Sequence, residues 1–322
     1  MATKNATGSD LTLMTVMARF STEEAARAYF EGVRWANGRS CPHCGNADES
    51  RIYALTANRS AKIRPGMYKC AECKDTFTVT VGTVMEDSHI PLNKWLIAFY
   101  MMCASKTQVS ALQLMRQLEI GSYHSALFLC HRIRFALADI FPSDQLTGIV
   151  EADETYLGGK MRGRGRGYVG NKTPVVSLIE RGGRVRSRVV DHVTGEAITR
   201  LLKEHVNEEA SLHTDESPLY TKVGKDFSSH ETVNHSIEEY ARTAEDGVRV
   251  TTNTAEGFFG NSKRSIDGTH HSISYKHTNL YFAELDHKYN TRKMTDGERT
   301  VVGIRRMEGK RLMLHSPQRK AS

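Results

Sequence analysis

Val250-Thr-Thr-Asn-Thr-Ala-Glu-Gly-Phe-Phe-Gly-Asn-Ser-Lys-Arg264 is the stretch around which the chain is organised. It gathers Asn253, Glu256, Lys263 and Arg264 into one short amphipathic run, with Phe258 and Phe259 as its apolar face. On a helix, Glu256 and Lys263 are two turns apart and share a face. A carboxylate and a cation so placed suit a metal-binding acid with a phosphate nearby. A solvated surface helix has the same pattern, so the weight falls on two further acids at strand ends.

The chain has 322 residues, enough for two or three domains. Hydrophobic residues make up 39% and charged residues 25%, the balance of a soluble globular protein. No apolar run approaches the ~20 residues of a membrane span, and the first ten residues lack the apolar core of a secretory signal. A cytoplasmic protein is expected. The formal charge of +7 and pI near 9.0 fit a polyanionic partner, of which nucleic acid is the commonest. Lys160, Arg162, Arg164 and Arg166 concentrate part of that charge in a glycine-rich loop.

Cys41-Pro-His-Cys44 and Cys70-Ala-Glu-Cys73 form two Cys-x-x-Cys pairs, with 25 residues between Cys44 and Cys70. Short strands at Arg51–Leu55, Met67–Lys69 and Phe77–Val81 are predicted around them. The pattern is a zinc ribbon in which four thiolates hold one structural Zn(II) and leave no position open for substrate. His43 is expected in solvent, and Cys103 and Cys130 in the core. The ribbon reads DNA or anchors its domain; both readings stay open.

Thr12 to Gly38 reads as one helical region, with Ser21-Thr-Glu-Glu24 resembling a capping box. Pro91 to Ser105 is a buried helix too short for a membrane. Two helices follow between Lys106 and Ala138, broken at Ile120-Gly-Ser122. Their break resembles a helix-turn-helix, which would put Arg132 and Arg134 on a groove-facing helix. A plain helical hairpin is the other reading.

Beyond the linker Phe141–Gly148 the pattern changes to three strands, then helix, strand, helix, strand and helix, a mixed α/β domain. Asp153 closes a strand beginning at Ile149, and Asp215 closes another beginning at Ala210. Glu154, next to Asp153, points to the opposite face. Three clustered carboxylates repel one another and persist as a group when divalent cations neutralise them; hard oxygen donors favour Mg(II) or Mn(II). Two such ions about 4 Å apart can activate a water or a 3′-hydroxyl and stabilise a leaving phosphodiester oxygen. The tail from Asp296 onward reads as basic, poorly patterned and partly disordered.

Taken together, these stretches resemble the DDE-type insertion-sequence transposases of the ISXO2-like branch. The likeness is carried by Arg34–Gly38 before the first cysteine pair, Val81–Trp95, Val150–Lys160, His213-Thr-Asp215, Asn253–Gly260 with Lys263-Arg264, Ser274–His277 and Tyr289–Arg292. It spans residues 20 to 292 or thereabouts. The resemblance implies a multidomain α/β protein: a helical segment over 1–38, a zinc ribbon over 39–85, a helical, helix-turn-helix-like region over 86–145, an RNase H-like DDE catalytic domain over 146–295 and a basic tail over 296–322. It implies cleavage at terminal inverted repeats and joining of the freed 3′ ends to target DNA. Asp153 and Asp215 become the first two catalytic acids. Glu256 and Asn253 are both candidates for the third place, Glu256 the better because it is charged and keeps the seven-residue gap to Lys263. Lys263 and Arg264 would hold phosphates. The implied cofactors are catalytic Mg(II) or Mn(II) and structural Zn(II). The implied partners are inverted-repeat and target DNA and a second copy of the chain. The competing readings are a zinc-ribbon DNA-binding regulator derived from such an element and a nuclease that cuts without joining.

Overall fold

A computed structural model describes residues 11–139, 144–158, 172–244 and 247–313. The basic loop residues Lys160, Arg162, Arg164 and Arg166 lie outside the described residues. The chain forms two compact units, Met1–Ala138 with Thr291–Ser322, and Asp139–Asn290. No helix among the described residues is long and apolar enough to cross a membrane.

The first unit is helical around a small ribbon. Its helices are α1 (Leu13–Arg19), α2 (Glu23–Arg34), α3 (Leu92–Ala104), α4 (Ala111–Gln117), α5 (Tyr123–Leu137) and α10 (Asp296–Arg305). The predicted single helix over 12–38 is two helices. Thr22, not Ser21, caps α2, its hydroxyl accepting from Ala25 N at 3.2 Å. Ser110 and Ser122 cap α4 and α5 in the same way, satisfying N–H groups that helix ends leave without partners. Trp95, Phe99, Phe30 and Leu114 are fully enclosed and build one core. Cys103 and Cys130 lie in it as small hydrophobes.

Two expectations change in this unit. Residues 296–313 are not a poorly patterned tail. Thr295 and Glu298 form a capping box, α10 follows, and Val301, Ile304 and Met307 are buried in the same core as α3. The predicted strand Phe77–Val81 ends at Phe77. Past it the chain makes successive turns, with Val81 N donating to Thr78 O and Thr83 N to Thr80 O. Threonine hydroxyls offer local hydrogen bonds that compete with a ladder, and Val79 and Val84 turn into the helical core.

The ribbon is a three-stranded antiparallel sheet, β1 (Ile52–Ala54), β2 (Tyr68–Cys70) and β3 (Thr76–Phe77), in that order. Its buried side carries Ile52, Tyr68 and Phe77. Trp35 packs edge-on against Tyr68 and Phe77, with ring centroids 5.7 and 6.0 Å away.

The second unit is a mixed α/β layer structure, as expected from the strand and helix order. Its strands are β4 (Ile149–Leu157), β5 (Thr173–Glu180), β6 (Val185–Val189), β7 (Ser211–Asp215) and β8 (Ser229–Val233), ordered β6-β5-β4-β7-β8. The first three pair antiparallel, and β7 and β8 run parallel to β4. Side chains alternate across the sheet. Val150, Ala152, Val176, Leu178 and Leu212 face α6 (Gly195–His205) and α7 (Pro218–Thr221). Val175, Ile179 and Val185 face α8 (Asn253–His270) and α9 (Thr278–Asn290). A two-stranded ribbon, β9 (Arg242–Thr243) and β10 (Arg249–Val250), leads into α8.

Candidate active site and zinc knuckle

The four cysteines come together. Cys41 and Cys73 sulfurs are 3.7 Å apart, as are those of Cys44 and Cys70, and all four lie within 4.8 Å of one another. Four sulfurs at ~2.3 Å from one tetrahedral zinc would be separated by about 3.8 Å, whereas a disulfide would bring a pair to ~2.05 Å. The donor set and spacing therefore fit zinc. Without a cation the thiols cannot all ionise. The Cys73 backbone N–H draws Cys70 down to about 7. Cys73, despite an N–H from Asp75, is pushed up to about 12 by desolvation and the neighbouring thiols. His43 is exposed and its Nε2 lies 3.3 Å from the Thr76 carbonyl, outside the sulfur cluster.

The acids are arranged differently. β4 and β7 pair in parallel with Glu151 opposite His213. Carried two residues further, that register sets Asp153 level with Asp215, on the sheet face that α8 covers. Asp153 Oδ1 accepts from Glu154 N at 2.7 Å, and Asp215 Oδ1 from Ser217 N at 3.0 Å. Burial raises the Asp153 carboxyl to about 7, against the pull of that Glu154 N–H; the charges of Glu154, Asp215 and Glu256 raise it further. The charges of Asp215 and Glu256 thus both reach Asp153. The oxygens of the three acids are spread wider than the sulfurs: among the described residues, only the four cysteines form a group of three or more ligand atoms all within 4.8 Å. Glu256 is exposed, with Thr252 Oγ1 at 3.4 Å and His235 Nε2 at 3.7 Å from its Oε1.

Glu154 faces the other side of the sheet, as alternation requires. The buried Tyr220 hydroxyl donates to its Oε2 at 2.7 Å. Burial raises the carboxyl of Glu154, and of the phenol that holds it.

A second row of residues, which sequence reasoning passed over, holds the helix of Glu256 in place. Thr252, the residue before α8, offers no side-chain cap. The cap comes instead from Glu151, fully buried on β4. Its carboxylate accepts from Thr254 N at 2.8 Å, Thr254 Oγ1 at 2.8 Å and Ala255 N at 3.1 Å. A negative group at a helix N-terminus is favoured by unpaired N–H groups and by the helix dipole. Arg181 completes the anchor. It donates to Glu151 Oε1 at 2.9 and 3.1 Å, to Arg249 O at 2.7 Å and to Thr251 O at 3.2 Å. Its Nη2 also lies 3.3 Å from His213 Nδ1. Burial, with the charge of Arg181, depresses that imidazole to about 4, so it stays neutral. The signal was present: Glu151 precedes Asp153 by two, and His213 precedes Asp215 by two, so in strands each anchor shares a face with its acid.

Along α8 the solvent-facing positions include Asn253, Glu256, Lys263 and Arg264. Lys263 makes no side-chain hydrogen bond or ion pair among the described residues, and Arg264 donates to Asn261 Oδ1 at 2.7 Å.

Arg132 and Arg134 do not face a groove. They are 6% and 1% exposed, inside the helical core. Arg132 donates to the Glu86 carbonyl and lies over the Phe128 and Trp95 rings at 5.1 and 5.8 Å. Helix α5 is buried on most sides from Ala126 to Leu137, which makes it a core helix rather than a reading helix.

Residues 145–290 match the ISXO2-like transposase domain, and residues 21–76 match the transposase zinc-ribbon domain. A protein of Halobacterium salinarum described as an uncharacterized protein in transposable element ISH50 is 29% identical over 245 residues, covering 70% of this chain and 79% of its own length.

Proposed function

This chain belongs, by its two domains, to the ISXO2-like transposases, and from that premise we propose that it cuts the ends of its element and joins them to target DNA. The observation that carries the proposal is the parallel register of β4 and β7, which brings Asp215 to the buried Asp153, where the charges of both Asp215 and Glu256 reach.

Asp153 and Asp215 would hold divalent metal from the strands, and Glu256 would complete the set from α8. All three offer hard carboxylate oxygens, the donors magnesium and manganese prefer. The fit has a second support: Asp153 is raised first by burial and then by the charges of its acidic neighbours, and a cation would offset both. When bound, the metal supplies Lewis-acid activation of the attacking hydroxyl and of the phosphodiester. The rest falls to the chain. Asn253, one turn ahead of Glu256, orients the strand end. Lys263 and Arg264, further along the exposed stripe, hold its phosphates. Glu151 and Arg181 keep α8 at the sheet, so that Glu256 stays opposite Asp153. Water attacks at the element end and leaves a 3′-hydroxyl; that hydroxyl then attacks a target phosphodiester, and one bond is broken for each bond made. Two ends must be held together, so two copies of the chain act as a pair.

The test is joining. Labelled element ends, Mg(II) and a supercoiled plasmid are incubated with the full chain, and joined product is scored on a gel. Wild type gives joined product. Asp153→Asn gives none and still binds the ends. Undiminished joining by Asp153→Asn would remove the acids from the mechanism.

A further inference from the structure

The burial of Arg132 and Arg134 leaves the first unit without the DNA contact expected of it. Its other arginines are mostly engaged inside the protein. Arg34 pairs with Glu308 at 2.5 Å, Arg51 with Glu72 at 2.6 Å and Arg311 with Glu86 at 3.2 Å. Arg39 stacks on Tyr68 at 4.0 Å.

The ribbon hairpin breaks this pattern. From Arg51 to Ala71 the chain carries five cations and no acid. Four of them, Arg59, Lys62, Arg64 and Lys69, are exposed and make no side-chain ion pair or hydrogen bond among the described residues. The segment between β1 and β2 is nevertheless built. Asn58 and Ile63 exchange two backbone hydrogen bonds, at 3.0 and 2.9 Å, and Lys62 N donates to Arg59 O at 3.1 Å. The Asn58 side chain accepts from Ala61 N at 3.1 Å. Lys62 sits at φ 56°, a left-handed conformation that fixes the close of the turn. Behind the tip, Lys69 lies opposite the exposed Tyr53 on the solvent face of the sheet.

We propose that this hairpin, with Arg59 and Lys62 at its tip and Arg64 and Lys69 behind them, is the surface by which the first unit grips the phosphate backbone of duplex DNA. The inference rests on the reading of the chain as a DNA transposase. Ordered backbone means that little conformational entropy is lost at the tip on binding. Four uncompensated cations meet a polyanion without breaking any internal pair, and each releases condensed counterions. The zinc knuckle then has a mechanical role, as the rigid base from which β1 and β2 project.

The experiment compares the full-length zinc-loaded protein with Arg59→Ala/Lys62→Asn and with a matched pair, Lys106→Ala/Arg116→Ala, whose cations are exposed and unpaired on the same unit. Asparagine is chosen at 62 because it tolerates the left-handed conformation. Binding to a labelled duplex is titrated across a salt series, with zinc content and Tm as controls for folding. The hairpin variant should bind more than tenfold more weakly, with a salt slope shallower by about 2. The matched pair should change the slope by less than half of that. An unchanged slope in the folded hairpin variant overturns the proposal, as does an equal loss in both variants. Chemical acetylation of wild type, which needs no variant, gives a second reading: bound DNA should protect Lys62 and Lys69 but not Lys106, and equal labelling of all three overturns the proposal. Failure of wild type to bind any duplex would instead fell the transposase reading.

Discussion

The molecule holds two groups of potential metal ligands, and they are built on opposite principles. The ribbon brings four sulfurs within 4.8 Å, already spaced for a tetrahedral ion. A neutral thiol repels its neighbours little, so bringing four sulfurs together carries little electrostatic cost before zinc binds. The three acids of the second unit are spread wider, and Glu256 stays in solvent. Carboxylates at neutral pH do repel, and burial of one raises it to about 7. The closed site is arranged to be stabilised by its metal. The open one carries an electrostatic cost in its metal-free form, and the fold meets that cost elsewhere, through Glu151 and Arg181.

The sharpest break between the two comes from removing one sulfur of the ribbon. Cys41→Ser should lose zinc and unfold the ribbon, since binding of a structural zinc is worth ~10 kcal/mol or more of folding free energy. Metal analysis and limited proteolysis between residues 40 and 80 would check it; a protease-resistant, zinc-free variant would show that the ribbon stands without its ion.

Next in size is the anchor. Glu151→Gln leaves Arg181 and the start of α8 without their charged partner, and should cost ~3 kcal/mol, the scale of breaking a buried pair. Joining should need more Mg(II) to reach half its maximum, while duplex affinity stays the same. A variant that joins with wild-type Mg(II) dependence would show that Glu151 only stabilises the fold.

The smallest effect has the opposite sign. Asp153→Asn should raise the Tm of metal-free protein at pH 8, because it removes a charge that burial disfavours. The pH dependence follows from the same shift. The folded-state value of about 7 lies above the unfolded-chain value of 3.8. The contribution to stability is therefore full below 3.8 and is lost as pH rises through 7. Asp286, raised by burial to about 7 on α9, adds to the same trend. Thermal melts from pH 5 to 8 should fall less steeply for Asp153→Asn than for wild type. Mg(II) at pH 8 should raise the Tm of wild type alone.

Much of this was legible in the chain itself, and the exceptions share a cause. Cysteine spacing specifies the knuckle because four ligands within two short turns have few other ways to be satisfied. Asp215 was visible because it ends the apolar strand β7; Asp153 stood out in the same way, although β4 does not end at it but runs on to Leu157. Arg132 and Arg134 misled because charge suggested a surface, whereas the surrounding Ala126, Leu129, Cys130, Ile133 and Leu137 describe a helix buried all round. Glu151 was hidden by its more familiar neighbour. Its role depends on a partner, Arg181, that follows 30 residues later and on a helix a hundred residues downstream. Helix α10 was missed although Thr295-Asp-Gly-Glu298 spells a capping box, because the charges around it drowned its few apolar positions.

That last helix has a consequence for synthesis. Val301, Ile304 and Met307 belong to the same core as Trp95 and Phe99, and Gly309 N donates to Gly82 O at 2.9 Å. The half of the protein that emerges first from the ribosome is therefore finished last. The unit bearing the acids, Asp139–Asn290, is complete in sequence while its predecessor still waits for a missing wall. A nascent chain cut short before Asp296 would carry an acid-bearing unit beside an open hydrophobic core, the kind of product that cellular quality control removes.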